Sequence, residues 1–371
     1  MLRNNQTESL YLPGLNGIRA MAAMTVVISH INNRLHLFGL EKGTTFYVAD
    51  YAVTVFFTLS GFLITYLLLI EKSQTGVIDI KKFYIRRILR IWPLYFLYLL
   101  LVFLIIGFDQ IKWPVFFYLL MIPNFTKSVS QYIPIHIAKF PGHNALLGHY
   151  WSLGVEEQFY AFWPWIVSNT KNLLKVLIFF PIFYIILKIF LNVLHAPKSL
   201  LLFVNYSRFG CMAIGALGAY LYFTYKEIIM KWIHLRILEI IAVIFFILVT
   251  FNLFHIASPV DHEIASMITL IIIINQISNP KKLYSLENKI FNFLGKISYG
   301  LYVWNPLIIY VFSLAYKHFF SGLHIDSAIL LVLVFTINTL FIVLVSYLSY
   351  EYFEKRFLKL KNRFMIIKSR S

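Results

Sequence analysis

Two ionisable residues, Arg19 and His30, stand eleven positions apart in an otherwise apolar stretch, LNGIRAMAAMTVVISH over residues 15–30. An ionisable side chain inside an apolar span is costly, and its presence is a reason to look for function. At about 100° per residue the separation is three turns plus roughly 20°, so both side chains share one helical face, about 16 Å apart along the axis. Each also has a structural explanation: Arg19 can snorkel to an interface, and His30 can be satisfied among headgroups. Their shared face weakens both. A second set, Arg87 and Arg90, lies in FYIRRILRIWP over residues 83–93, where i,i+3 spacing puts both guanidinium groups on one face. Forked guanidinium groups suit bidentate phosphate contacts, although plain basic anchoring at a membrane surface uses the same residues. A third set, Ser152, Glu156 and Tyr160, forms a polar stripe at i, i+4 and i+8 in HYWSLGVEEQFY, residues 149–160. A carboxylate there must line a wet cavity or be paired. An ion pair with Arg208 is the structural alternative.

Other chemistries find no support. His36, His136, His143, His195, His234, His255, His262, His318 and His324 are scattered without metal-ligand spacing, so no metal is expected. Cys211 is the single cysteine, which excludes an intramolecular disulfide and argues against thiolate metal sites. No Gly-x-Ser-x-Gly elbow, phosphate loop or dinucleotide fingerprint occurs.

The elements that must position these groups are membrane-spanning helices. The chain is 60% hydrophobic, 18% aromatic and 13% charged, against about 45–50% apolar and about 25% charged for a soluble domain. Apolar runs of roughly 20 residues, the length needed to cross a bilayer, recur throughout. The expected spans are residues 15–31, 47–70, 91–108, 150–168, 173–192, 206–225, 235–255, 264–277, 298–316 and 328–350. Residues 113–125 form a shorter run broken by Pro114 and Pro123, expected to be a non-crossing hairpin. Orientation follows from the tendency of Lys and Arg to collect in cytoplasmic loops. Segments 71–90, 169–175, 226–236, 278–296 and 351–371 hold 22 Lys and Arg, and the alternating segments hold 7. That alternation survives only if 113–125 does not cross. The chain therefore reads as an all-α polytopic transmembrane bundle of about ten spans with both termini cytoplasmic. It forms one membrane domain over residues 1–371, with a core of about 10–357 and a short basic tail over 351–371. The net charge of +17 is explained by cytoplasmic loops and anionic headgroups, so the bilayer, and not nucleic acid, is the expected partner. No cleavable signal is expected at the N-terminus.

These residues resemble those of acyltransferase family 3, membrane-embedded acyltransferases that modify bacterial glycans. The likeness rests on residues 15–30, 55–65 (VFFTLSGFLIT), 83–93, 151–164 (WSLGVEEQFYAFWP) and 294–306 (LGKISYGLYVWNP), with a weaker end near 349–357. It implies His30 as the catalytic histidine with Arg19 as its partner. It also implies Arg87 and Arg90 as the pair associated with the acyl-CoA donor. Glu156 and Ser152 fall on motif positions whose separate roles stay open, and Ser298 and Tyr299 belong to the Ser-Tyr-x-x-Tyr-x-x-His-x-Pro segment. Asn305 replaces the histidine common there, and asparagine can hydrogen-bond but cannot titrate. Asn16 and Thr54 stand where the family usually has aspartates. The form expected is a stand-alone one, with no hydrolase-like domain after Tyr350.

The resemblance implies transfer of an acyl group, acetyl by expectation, from acyl-CoA to a hydroxyl of a cell-surface or lipid-linked saccharide at the inner membrane. Acyl-CoA serves as co-substrate, with no bound cofactor. In that reading Arg19, Arg87 and Arg90 hold the CoA phosphates and His30 acts as general base, its ordinary pKa of about 6.5 suiting neutral operation. Glu156 either orients His30 or binds the acceptor, supported by Ser152, Tyr160, Arg208, Ser298, Tyr299 and Asn305. Direct transfer and an acyl-histidine intermediate both remain open. The rival is a multi-pass transporter or flippase whose charges line a path. It would be expected to show paired, Gly/Pro-interrupted helices in two related halves, and no such pairing is found.

Overall fold

The computed structural model describes residues 10–41, 48–108, 113–129, 146–320, 322–323, 325–367 and 369–370. His136, His143 and His324 lie outside them. In chain order a short strand β1 (Leu10–Tyr11) leads into α1 (Leu15–Asn32), α2 (Val48–Thr75) and α3 (Ile80–Ile106). Two short helices follow, α4 (Val115–Leu119) and α5 (Asn124–Val129), and then α6 (Tyr150–Asn169), α7 (Leu173–Val193), α8 (Lys198–Ser207) and α9 (Phe209–Thr224). The remainder is α10 (Lys226–Ile233), α11 (Arg236–Thr250), α12 (Asp261–Ser278), α13 (Lys289–Lys296), α14 (Ser298–Phe319), α15 (Ser327–Ser349) and α16 (Lys355–Asn362). A π-turn over Tyr350–Glu354 joins α15 to α16, and β2 (Ser369–Arg370) pairs in parallel with β1.

Side-chain caps set several starts. Asp79 Oδ1 accepts the Lys82 N–H at 2.9 Å and opens α3 at Ile80, about three turns before the expected span at 91, so the arginine cluster rides on a continuous helix. Asp326 caps α15 in the same way. The expected span 206–225 begins instead at Phe209, because Arg208 takes a left-handed backbone (φ 44°) that separates α8 from α9. Residues 113–125 supply α4 and part of α5, helices of 5 and 6 residues, far short of the roughly 20 needed to cross.

Among the described residues five helical stretches are long and apolar enough to cross a membrane: Val48–Thr75, Ile80–Ile106, Leu173–Val193, Lys198–Thr224 and Ser327–Asn362. The number rises to seven if two bent pairs each count as one, α10 with α11 at 64° and α13 with α14 at 66°. Three helices that coincide with expected spans, α1, α6 and α12, fall short of that measure. They hold Arg19 and His30, Glu156 and Glu157, and Asp261 and Glu263. A helix enclosed by protein need not be apolar, and α1 is enclosed, touching α2, α12, α13, α14 and α15. The periphery is the reverse. Phe179, Phe183 and Phe190 of α7 and Val332 and Leu340 of α15 are exposed, as a lipid-facing belt requires.

The tightest junction is α2 against α9. A Cβ added at Gly61 would lie 2.0 Å from the Met212 carbonyl oxygen, and one at Gly215 would lie 2.1 Å from that of Thr58. Close backbone approach through small residues is how helices associate where lipid tails compete with every apolar side chain.

Candidate active site

A cavity of about 220 Å³ opens at the end of the bundle where β1 and β2 pair. Its polar lining includes Arg19 of α1, Ser60 of α2, Arg87 and Arg90 of α3, and Glu156 and Tyr160 of α6. Ser298 and Tyr299 of α14 and Ser152 of α6 line it as well. Arg19, Arg87 and Arg90, expected together at the donor phosphates, all line this one cavity. Asp79 and Lys82 at the start of α3 stay outside, with Asp79 held below the usual carboxylate range by the Lys82 N–H and the Lys82 ammonium.

The cavity is strongly cationic. Arg86 also lines it but is neutralised by Glu71 at 3.0 Å. Arg19 donates to Asn16 Oδ1 at 3.2 Å, a neutral partner. The Arg87 guanidinium sits 5.7 Å from the Phe83 ring and 5.6 Å from the Tyr160 ring, and its Nε is buried with no hydrogen-bond partner among the described residues. Glu156 is the nearby acid, with Oε1 accepting from Ser60 Oγ at 2.9 Å and Oε2 from Tyr160 OH at 3.3 Å.

Those partners answer two questions the sequence left open. Glu156 does not pair with Arg208. Arg208 donates to the Asp50 carbonyl at 2.8 Å, lies 3.7 Å from the Asp50 carboxylate, and stacks 5.2 Å from Trp151. It does not line the cavity. Nor is Glu156 the group hydrogen-bonded to His30. That group is Asn305 of α14, whose Oδ1 lies 2.6 Å from His30 Nδ1.

His30 itself is not part of the cavity wall. Tyr302 connects the two places. It lines the cavity, its hydroxyl hydrogen-bonds Ser152 and donates to the His149 carbonyl, and its own carbonyl is held by Asn305. Arg34, in the turn just after α1, and His149 are charged or titratable groups that interact electrostatically with His30. Tyr302, His149, Arg34 and Ser60 were not singled out in the sequence. Tyr302 had a signal, as the second tyrosine of the Ser-Tyr-x-x-Tyr segment; Ser60 lies in the segment 55–65 and His149 opens the segment 149–160, while Arg34 had no signal.

The mouth has a further lining that composition assigned only to basic anchoring. Lys361 of α16 and Met365 and Ile366 beyond it reach the cavity, and Arg86 Nη1 donates to the Phe364 carbonyl at 3.1 Å. On the facing side Glu287 accepts from Tyr11 OH and from the Gly14 N–H at 2.6 Å. Partial burial pushes the Glu287 carboxyl up, but hydrogen bonds from Tyr11, Asn292 and Gly14 outweigh it and hold the group below its ordinary range. The same hydrogen bond pushes the Tyr11 hydroxyl up to about 12. Among the described residues no group of three His, Cys, Asp or Glu side chains is placed to hold a metal ion.

Comparison with known proteins agrees with the chemistry this geometry suggests. A family model described as an acyltransferase domain matches residues 12–351. A putative O-acetyltransferase of Staphylococcus aureus strain COL is 29% identical over 373 residues, covering 94% of this chain and 58% of the relative. The O-acetyltransferase OatA of Staphylococcus aureus strain NCTC 8325 is 30% identical over 330 residues, covering 82% of this chain and 51% of that protein. The chain thus spans between half and three-fifths of the length of these relatives. No solved structure matches.

Proposed function

The chain belongs to the acyltransferase-domain family, and from that premise we propose that it transfers an acetyl group from acetyl-CoA to a hydroxyl of a cell-envelope or lipid-linked saccharide. The observation that carries the reading is a cationic cavity linked to a half-buried histidine by the hydrogen bonds that run from Tyr302, which lines the cavity, through Asn305 to His30. Arg19, Arg87, Arg90 and Lys361 offer the charge that the CoA phosphates need. The acyl end of the pantetheine arm then reaches the Tyr302 wall and His30 behind it. His30 takes the proton of the acceptor hydroxyl as its oxygen attacks the thioester carbonyl. When the tetrahedral intermediate collapses, the C–S bond breaks, and the CoA thiolate leaves with the proton that His30 returns. Glu156, hydrogen-bonded at the cavity, bears on the donor side and not on His30.

The membrane arrangement belongs to the same proposal: ten spans at the inner membrane, with both termini and the cavity mouth facing the cytosol, where acyl-CoA is. The parallel pairing of β1 with β2 supports it by putting both ends of the described chain on one side. A transporter reading is less well supported, since a transport path would need no histidine hydrogen-bonded to a buried asparagine near a cationic cavity.

The test uses purified full-length protein in detergent with labelled acetyl-CoA and an extract of bacterial cell-envelope glycans. Wild-type protein is expected to yield labelled O-acetyl sugar, and His30→Ala to lose at least about 100-fold, the lower range of a general base's contribution. Near wild-type transfer by His30→Ala would remove His30 from the mechanism.

A further inference from the structure

Asn305 follows from the same geometry as the residue that determines which nitrogen of His30 is free to act, an inference that rests on the reaction proposed above. Asn305 is fully buried on α14, and Pro306 follows it within the helix. A proline has no N–H, so the carbonyl four residues before it, that of Tyr302, lacks its usual helical donor. A buried orphan carbonyl is costly and takes whatever donor is near. Here the donor is the Asn305 side chain. Its Nδ2 lies 2.7 Å from the Tyr302 oxygen and 2.9 Å from the Leu301 oxygen.

Both carbonyls can only accept, which fixes the amide. The NH2 group must face them, and a flipped amide would set Oδ1 against two carbonyl oxygens. Oδ1 is therefore the atom turned to His30 Nδ1, at 2.6 Å, and an amide oxygen can only accept. The proton between them has to sit on Nδ1. We infer that the Asn305–Pro306 pair holds His30 as the Nδ1–H tautomer, leaving the Nε2 lone pair as the base that takes the acceptor's proton. Asn305 is on this account a positioning residue: it touches neither donor nor acceptor. It acts without charge, and it ties the histidine to Tyr302, the residue that walls off the donor cavity. In a Ser-His-Asp triad, where an aspartate does the orienting, the wrong histidine tautomer costs on the order of 10⁴-fold.

Two measurements on full-length protein in detergent micelles test this. The first needs no variant at position 305: with 15N-labelled histidine, the His30 signal (assigned by its loss in His30→Gln) should show Nδ1 protonated and Nε2 bare in the neutral form. An Nε2–H tautomer in the wild type would overturn the inference. The second is steady-state transfer from labelled acetyl-CoA to the glycan extract. Asn305→Leu, which has no acceptor, should lose about 100-fold or more in kcat with the KM for acetyl-CoA changed by no more than about twofold. Asn305→His keeps one acceptor and one donor and should retain at least about a tenth of the wild-type kcat. Full activity in Asn305→Leu beside an inactive His30→Ala would sink the positioning role and leave the reaction standing. An active His30→Ala would sink the reaction itself.

Discussion

Arg87 shows how a residue with two readings in the sequence is decided by its surroundings. Basic anchoring would leave its guanidinium in water. Instead it lies between the Phe83 and Tyr160 rings, with a buried Nε that has no partner among the described residues. A buried donor left unsatisfied costs about 1–3 kcal/mol, a cost that a phosphate oxygen entering the cavity would remove. Hydrogen bonds to charged groups contribute about 1.5–3 kcal/mol, so Arg87→Ala and Arg90→Ala should each raise the KM for acetyl-CoA by about tenfold or more. S-acetyl-pantetheine has the same thioester and no phosphate, and its turnover should be nearly unchanged in both variants. Equal losses on the two donors would mean that the arginines support the fold and not the phosphates.

At the scale of elements, the junction of α2 with α9 bears on the position of Ser60, next to Gly61, and so on Glu156, which Ser60 holds. Gly215→Ala puts a methyl 2.1 Å from the Thr58 carbonyl, and backbone cannot yield as a flexible side chain can. Overpacking of this kind costs about 1–3 kcal/mol, which for a chain this long should lower the apparent melting temperature by about 1–4 °C. Fluorescence-detected size exclusion after heating would measure it; an unchanged midpoint would mean that the two helices separate at little cost. Much of this level was legible beforehand. The apolar stretches expected at 15–31, 150–168, 173–192 and 328–350 appear as α1, α6, α7 and α15 with ends shifted by a residue or two, because their apolar runs end close to where the helices do. The early start of α3 was hidden, since its first turns are basic and its start depends on the Asp79 cap. Partners across the fold were less legible still. An ion pair of Arg208 with Glu156 was the structural alternative, but Arg208, in a left-handed turn, pairs instead with Asp50. Asn305 was visible only as a departure from a pattern; that it meets His30 depends on how α14 packs on α1.

For the whole molecule, the reaction makes sense only if the cationic cavity opens to the side that holds acyl-CoA, and one helix can test that. Asp261–Ser278 has 18 residues and is about 27 Å long at 1.5 Å per residue, close to the thickness of a bilayer's hydrocarbon core. The segment before it is nearly free of basic residues, whereas the segment after it holds Lys281 and Lys282 and leads to Glu287, which accepts from Tyr11 of the cavity lining. Ser258 and Ser285, on either side of this helix, are both exposed. The single cysteine, Cys211, is buried, so the unmodified chain gives a quiet background for thiol labelling. An impermeant maleimide added to intact cells should label Ser258→Cys, and should label Ser285→Cys only after the cells are permeabilised. The reverse pattern would turn the cavity away from the cytosol and leave the donor without access to Arg87 and Arg90. Labelling of both in intact cells would mean that this helix does not cross, and the count of spans would fall with it.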